Sequence, residues 1–208
     1  MEIKATLTGK KVILSAEDSK FLWENGFYGI SPAKNTRIVS PLYGTLALYE
    51  ASYLLKQCAT GQLDFSFSIQ RTTQEEPALS PESFIAFIKR DNKSYIRAVV
   101  YEKLRSLGWI VHSGINYGAD YLLYQSSPEE EHASYAVIVR KAPEGDLTWQ
   151  EVIAFNRVIA TANKAFVIAY VYEATTDYDN NGGEYDVKFL HISRWHLDCA
   201  DRKSPNDD

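Results

Sequence analysis

The chain has 208 residues, 45% of them hydrophobic and 24% charged, an ordinary globular composition long enough for one large domain or two small ones. Its net charge of −5 speaks against a general nucleic-acid binder, whose footprint is basic, so any contact with RNA or DNA has to use a local cluster of Lys and Arg or a partner chain. No window approaches the roughly 18 consecutive apolar residues of a membrane span, the start "MEIKATLTGKK" lacks the apolar core of a signal peptide, and two distant cysteines, Cys58 and Cys199, suggest neither a disulfide framework nor a zinc site, so an intracellular, reducing compartment is expected.

The first third reads as helical with punctuation. Ser15 precedes "AEDSKFLWENG", where Gly26 has the character of a C-terminal cap. Ser40-Pro41 opens "LYGTLALYEASYLLKQCATG", with Leu42, Leu46, Tyr49 and Tyr53 at helical spacing and Gly61 past the end. The segment "TTQEEPALSPE" is a polar connection, and Ser80-Pro81 within it starts a third helix, "ESFIAFIKR". A fourth, "YIRAVVYEKLRSLG", stops at Gly108.

After Gly108 the apolar period drops from about 3.6 to about 2. Short strands are predicted at "WIVHS", "DYLLYQ" and "SYAVIVRK". Thr148-Trp-Gln-Glu151 is a capping-box pattern that starts a helix through about Asn163. Two more strand-like runs follow, "AFVIAYVYE" and "EYDVKFLHISRWHL", separated by the acidic, glycine-rich "ATTDYDNNGG". The expected class is therefore α+β. A helical N-terminal domain over residues 1–92 is followed by an α/β domain over residues 93–197 with a small mixed sheet, and by a polar tail over 198–208.

The stretch "DYLLYQSSPEEEHASYAVIVR" carries the chemistry. Tyr124 and His132 flank a polar turn between two predicted strands, and Lys164 follows where the capped helix gives way to a strand. A Tyr, a His and a Lys without a carboxylate cluster suit RNA cleavage by the neighbouring 2′-hydroxyl, because that nucleophile resides in the substrate and no activated water is needed. The site must take the 2′-proton, protonate the departing 5′-oxygen and stabilise added charge on phosphorus. Histidine suits the acid near neutral pH. Lysine is a compact cation for the phosphorane. A tyrosine base needs a lowered pKa; otherwise the residue only positions the hydroxyl. A rival set, Asp120 with Glu129, Glu130 and Glu131, would make a metal-dependent nuclease.

The segment "SLGWIVHSGINYGADYLLYQSSPEEEHASYAVIV" resembles the catalytic core of the tRNA-splicing endonucleases. That core has a Gly-hydrophobic run, a Gly-x-[Lys/Asn]-[Tyr/Phe]-Gly-[Ala/Thr/Ser]-Asp segment, a strand ending in Tyr, and a Pro-containing turn before His-Ala-x-Tyr. The likeness continues through "LTWQEVIAFNRVIATANKAFVIAYV". "VILSAEDSKFLWENGFYG" and "SPLYGTLALYEASYLL" are similar to archaeal members, whereas "LHISRWHL" is closer to eukaryotic catalytic subunits. The resemblance implies Tyr124, His132 and Lys164 as a catalytic triad. It also implies no cofactor and no metal, and cleavage of precursor tRNA at a bulge-helix-bulge motif to 2′,3′-cyclic phosphate and 5′-hydroxyl ends. A cytoplasmic location follows if the source is archaeal, the preferred reading, and a nuclear one if it is eukaryotic.

Further residues follow from the resemblance. Arg157, seven residues before Lys164 and so about 10 Å along one helix face, would clamp a flipped bulge base together with Trp195, or with Arg194 as runner-up. The acidic loop, with Asp177, Asp179 and Glu184, would insert into a basic pocket of an opposing subunit. A single-core chain of this size would assemble as a homotetramer, or as a heterotetramer with a non-catalytic paralogous subunit. A purely scaffolding role for this chain is the other rival.

Overall fold

The computed structural model describes residues 1–31, 43–71, 77–144, 146–174 and 185–193. In the first part, strands β1 (Glu2–Thr8), β2 (Lys11–Ser15), β3 (Tyr43–Ala47) and β4 (Ser66–Arg71) form one sheet in the order β3-β2-β1-β4. β1 is antiparallel to β2 and parallel to β4, with Ile3 opposite Phe67. Ile3, Ala5, Leu7, Val12 and Leu14 alternate with solvent-facing residues and point to one core. Helices α1 (Ala16–Glu24), α2 (Leu48–Ala59) and α3 (Pro81–Lys89) supply the rest of this core through Leu22, Leu54, Leu55, Phe84 and Ile88.

The N-terminal part, expected to be helical, thus carries a full four-stranded sheet. The helix expected from Pro41 onward is also corrected: residues 43–47 are a strand, and the helix starts at Leu48. Pairing overrides the helical spacing here. β3 lies against β2 with Gly44 opposite Leu14, and a Cβ on Gly44 would fall 2.1 Å from the Ser19 hydroxyl of α1. The start of α1 at Ser15 is as predicted, the serine Oγ accepting from Asp18 N at 3.0 Å, and Ser80 caps α3 in the same way.

The second part is built on α4 (Asn92–Ser106) and a five-stranded mixed sheet in the order β5-β6-β7-β8-β9. Its strands are β5 (Ile110–Ser113), β6 (Tyr121–Tyr124), β7 (Tyr135–Lys141), β8 (Ala165–Glu173) and β9 (Tyr185–Ile192). β7 and β8 are parallel, with α5 (Trp149–Thr161) as the crossover, and the other pairs are antiparallel. Both faces of β7 and β8 are covered, which is why both read as unbroken apolar runs. Val137, Val139, Val167, Ala169 and Val171 pack with Val100, Tyr101 and Leu104 of α4. Ala136, Ile138, Phe166 and Ile168 pack with Val152 and Ile159 of α5.

The two parts meet along α2 and α4. Tyr49 of α2 lies edge-on to Tyr121, with centroids 5.1 Å apart. Arg105 of α4 donates to Gly26 O at 2.7 Å and sits 4.3 Å above the Tyr28 ring.

Candidate active site

Topology brings three chain ends to one end of the five-stranded sheet. β6 runs antiparallel to β7, and β7 runs parallel to β8, so the last residue of β6 and the first residues of β7 and β8 share an edge. Leu123 pairs with Tyr135, and Tyr135 with Ala165. Tyr124 follows the first of these positions, His132 leads into the second, and Lys164 precedes the third. Two backbone bonds lock the junction: Ser134 N donates to Leu123 O, and Ala165 N donates to Ser134 O, both at 2.9 Å.

Each residue has a local reason for its place. Lys164 follows a helix end of the Schellman type. Asn163 takes a left-handed φ of 53°, its N–H bonds to Ala160 O at 3.1 Å, and the Lys164 N–H bonds to Ile159 O at 3.3 Å. This turn delivers Lys164 to the first step of β8. At the other end of α5 the capping box forms as predicted: Thr148 N donates to Glu151 Oε2 at 2.9 Å, and Thr148 Oγ1 accepts from Glu151 N at 3.3 Å. Before His132, Ser127 O accepts from Glu130 N and Glu131 N, and Ser127 Oγ accepts from Glu129 N. Pro128 and Ala133 are buried on either side, so the turn is anchored while His132 is exposed.

Tyr124 is half-buried, its ring edge-on to His112 with centroids 5.7 Å apart. Burial first, and the neighbouring Tyr117 second, hold its phenol above the ordinary tyrosine range. A phenol raised in this way is a hydroxyl at neutral pH and not a phenolate. The Lys164 ammonium donates to Ala162 O at 3.3 Å and stands 4.9 Å from the Tyr117 ring centroid. Tyr117 therefore touches the surroundings of both residues, a link that the sequence reading missed although the residue lies within its quoted "INYGAD". A short 3-10 turn (Ile115–Tyr117) carries it, closed by Gly118 at φ 68°, a conformation that favours glycine.

Beside Lys164, a depression of about 500 Å³ runs between α5 and β9, with Asn156, Asn163, His191 and Ser193 among its lining. Its size is that of ligand pockets in general. His191 was not singled out from the sequence, because a strand histidine in an aromatic run carries no spacing signal. Arg157 is exposed on α5, on the turn before the helix end. Arg194, Trp195, Asp177, Asp179 and Glu184 lie outside the described residues.

The rival metal-ligand set is dispersed. Asp120 forms a salt bridge with Arg97 and accepts from Val139 N at 2.8 Å. Glu129 accepts from Trp23 Nε1 at 3.0 Å and from Ser31 Oγ at 3.1 Å. Among the described residues, no three His, Cys, Asp or Glu side chains gather as metal ligands. No described helix is long and apolar enough to cross a membrane.

The chain is similar to known proteins. Residues 95–179 match the model of a family described as tRNA intron endonuclease, catalytic C-terminal domain. The chain is 37% identical over 177 residues to a tRNA-splicing endonuclease of Saccharolobus solfataricus, covering 81% of this chain and 90% of the relative. A protein of the same name from Saccharolobus islandicus is 36% identical over 175 residues, with the same coverage. One from Hyperthermus butylicus is 31% identical over 173 residues, covering 80% of this chain and 89% of the relative.

Proposed function

The chain belongs to the tRNA intron endonuclease family, and from that premise we propose that it is an endoribonuclease that excises introns from precursor tRNA by metal-free attack of the 2′-hydroxyl. The observation that carries this reading is the meeting, at one sheet end, of the chain ends that bear Tyr124, His132 and Lys164. His132, exposed on an anchored turn, protonates the departing 5′-oxygen. Lys164 supplies a positive charge to the phosphorane. Tyr124, whose phenol is held un-ionised, orients the 2′-hydroxyl, a role that fits it better than that of a free phenolate base. The products are a 2′,3′-cyclic phosphate and a 5′-hydroxyl. End-group analysis of cut precursor in excess EDTA tests this, and a 5′-phosphate would reject it.

The substrate feature proposed is the bulge-helix-bulge, with Arg157 as one face of a base clamp and Trp195, or Arg194, as the other. Stacking between a guanidinium and an indole suits an unpaired base. Each face is worth about 1–3 kcal/mol. Arg157→Ala and Trp195→Ala should therefore each lower cleavage of a bulged substrate while leaving an abasic-bulge substrate nearly unaffected. An unchanged ratio between the two substrates removes the clamp.

We propose a tetramer, of this chain alone or with a non-catalytic paralogue. A groove of about 450 Å³ between α4 and the end of β7 is lined by Lys93, Arg97, Arg140 and Lys141, with Glu144 at its side. Arg97 is paired with Asp120 and Lys141 with Glu144 and Glu173, so Lys93 and Arg140 are the cations the groove offers to an acidic loop bearing Asp177, Asp179 and Glu184 from another subunit. β9 is an edge strand with Phe189 and Leu190 exposed on opposite faces, a surface suited to pairing with a second copy. Neutralising the three acids together should shift the complex toward dimers in sedimentation, more so at high salt. A variant that stays tetrameric at low concentration counts against the docked loop. The domain division at residues 92 and 93, the tail from 198 and a cytoplasmic location belong to the same proposal.

A further inference from the structure

The turn that presents His132 is held by residues of the N-terminal part. Trp23 of α1 is buried, and its indole N–H donates to Glu129 Oε1 at 3.0 Å. The buried Ser31 hydroxyl donates to the same oxygen at 3.1 Å. Glu129 stands three residues before His132, next to buried Pro128, in the turn closed by Ser127. The Trp23 ring also lies 5.2 Å from the ring of His112, which in turn meets Tyr124 edge-on at 5.7 Å. One indole of the N-terminal part therefore contacts the turn that leads to His132 and, through one intervening ring, the strand that ends in Tyr124.

We infer that Glu129, held by Trp23 and Ser31, is a positioning residue for cleavage, fixing the turn so that His132 meets the leaving oxygen. The inference rests on the proposed role of His132. The tie removes freedom from the turn. An exposed turn between two strands is mobile unless its backbone and side chains are tied. Here the backbone bonds close the turn on itself, and Glu129 ties it sideways to Trp23 of α1. A buried donor pair converging on one carboxylate oxygen is also costly to leave unpaired, which keeps the contact closed. A displacement of about 1 Å at the reacting group is enough to cost about 10²-fold in rate.

The test uses the full-length assembly and intron-containing precursor in excess EDTA, reading single-turnover rate, RNA binding and melting for each variant. Glu129→Ala should lower the rate by about 10–100-fold, with binding of the precursor unchanged. Glu129→Gln keeps an oxygen that accepts from both donors and should return to within about threefold of the unaltered enzyme. A ligand role for the carboxylate makes Gln as damaging as Ala. Trp23→Phe with Ser31→Ala removes both donors while keeping a ring beside His112. It should match Glu129→Ala, and adding Glu129→Ala to it should cost nothing more. A folded Glu129→Ala enzyme that binds and cuts at the ordinary rate overturns the inference, as does a Gln variant no better than Ala. If the buried pair variant melts early, the Ala and Gln substitutions at exposed Glu129 decide alone. An unaltered enzyme that does not cut precursor at all rejects the proposed function instead, so the two failures are told apart.

Discussion

Replacing His132 with alanine should lower single-turnover cleavage of a precursor by about 10²–10⁴-fold, the span of general acid catalysis, and leave its binding nearly unchanged. The basis is the placement of the residue. Its backbone is fixed between the Ser127 turn and the Ser134–Leu123 bond, while its ring is exposed and makes no hydrogen bond among the described residues. A side chain so anchored, with its nitrogens uncommitted, is available to a substrate and contributes little to the core. The substitution should therefore spare the melting temperature, and a loss of rate reports chemistry and not folding. An alanine variant that cuts at the ordinary rate removes His132 from the mechanism. It also returns weight to the reading in which this chain only scaffolds a catalytic partner.

Tyr124 contributes to the same argument from the other side of the turn. Its phenol is pushed above the ordinary tyrosine range chiefly by burial, so the folded enzyme does not store a phenolate there. The divided reading of this residue from sequence, base or positioner, thus leans toward positioning on physical grounds. Tyr117, with its ring 4.9 Å from the Lys164 ammonium and close enough to Tyr124 to raise its phenol, neighbours both residues.

What was legible in the sequence was mostly local. The Thr148–Glu151 box, the Ser80–Pro81 start and the Ser15 cap are signals written within four residues, and all three helix starts form where expected. The strands of the second part were legible because β7 and β8 are covered on both faces and read as long apolar runs. The first sheet was not: β1 and β2 form a local hairpin with Thr8 opposite Lys11, which the sequence analysis passes over, and the other two pairings are distant, Ile3 beside Phe67 and Gly44 beside Leu14. "YGTLA" has helix-compatible spacing, and only the close approach of Ser19 and the pairing with β2 make it a strand. The site divides in the same way. Tyr124, His132 and Lys164 are singled out through the family resemblance, and the strand pairing brings their backbone positions to one sheet end. The tie from Trp23 to Glu129 spans 106 positions and leaves no mark in spacing. From the sequence, Glu129 stands out only as one candidate ligand of the rival metal set.

A precursor carrying a single 2′-deoxy residue at one splice junction should bind as the ordinary RNA does and resist cleavage there, while the other junction is still cut. In the proposed mechanism the described site supplies no nucleophile of its own. Its candidate groups are a phenol held un-ionised, an imidazole and an ammonium. Of the four carboxylates that might otherwise organise a water, two are tied elsewhere, Asp120 to Arg97 and Val139 N, and Glu129 to Trp23 and Ser31. In the proposed mechanism the attacking oxygen comes from the RNA, as the 2′-hydroxyl adjacent to the scissile phosphate. Exchanging that hydroxyl for hydrogen leaves phosphate charge and base stacking in place, so recognition survives while the nucleophile is gone. The loss should exceed that of any single side-chain substitution, because each side chain lowers a barrier whereas the hydroxyl is a reactant. Excess EDTA should change neither outcome. Cutting at the deoxy junction would show that the nucleophile is an external water, and it would reopen a metal-activated route through Asp120 and the glutamates of the turn.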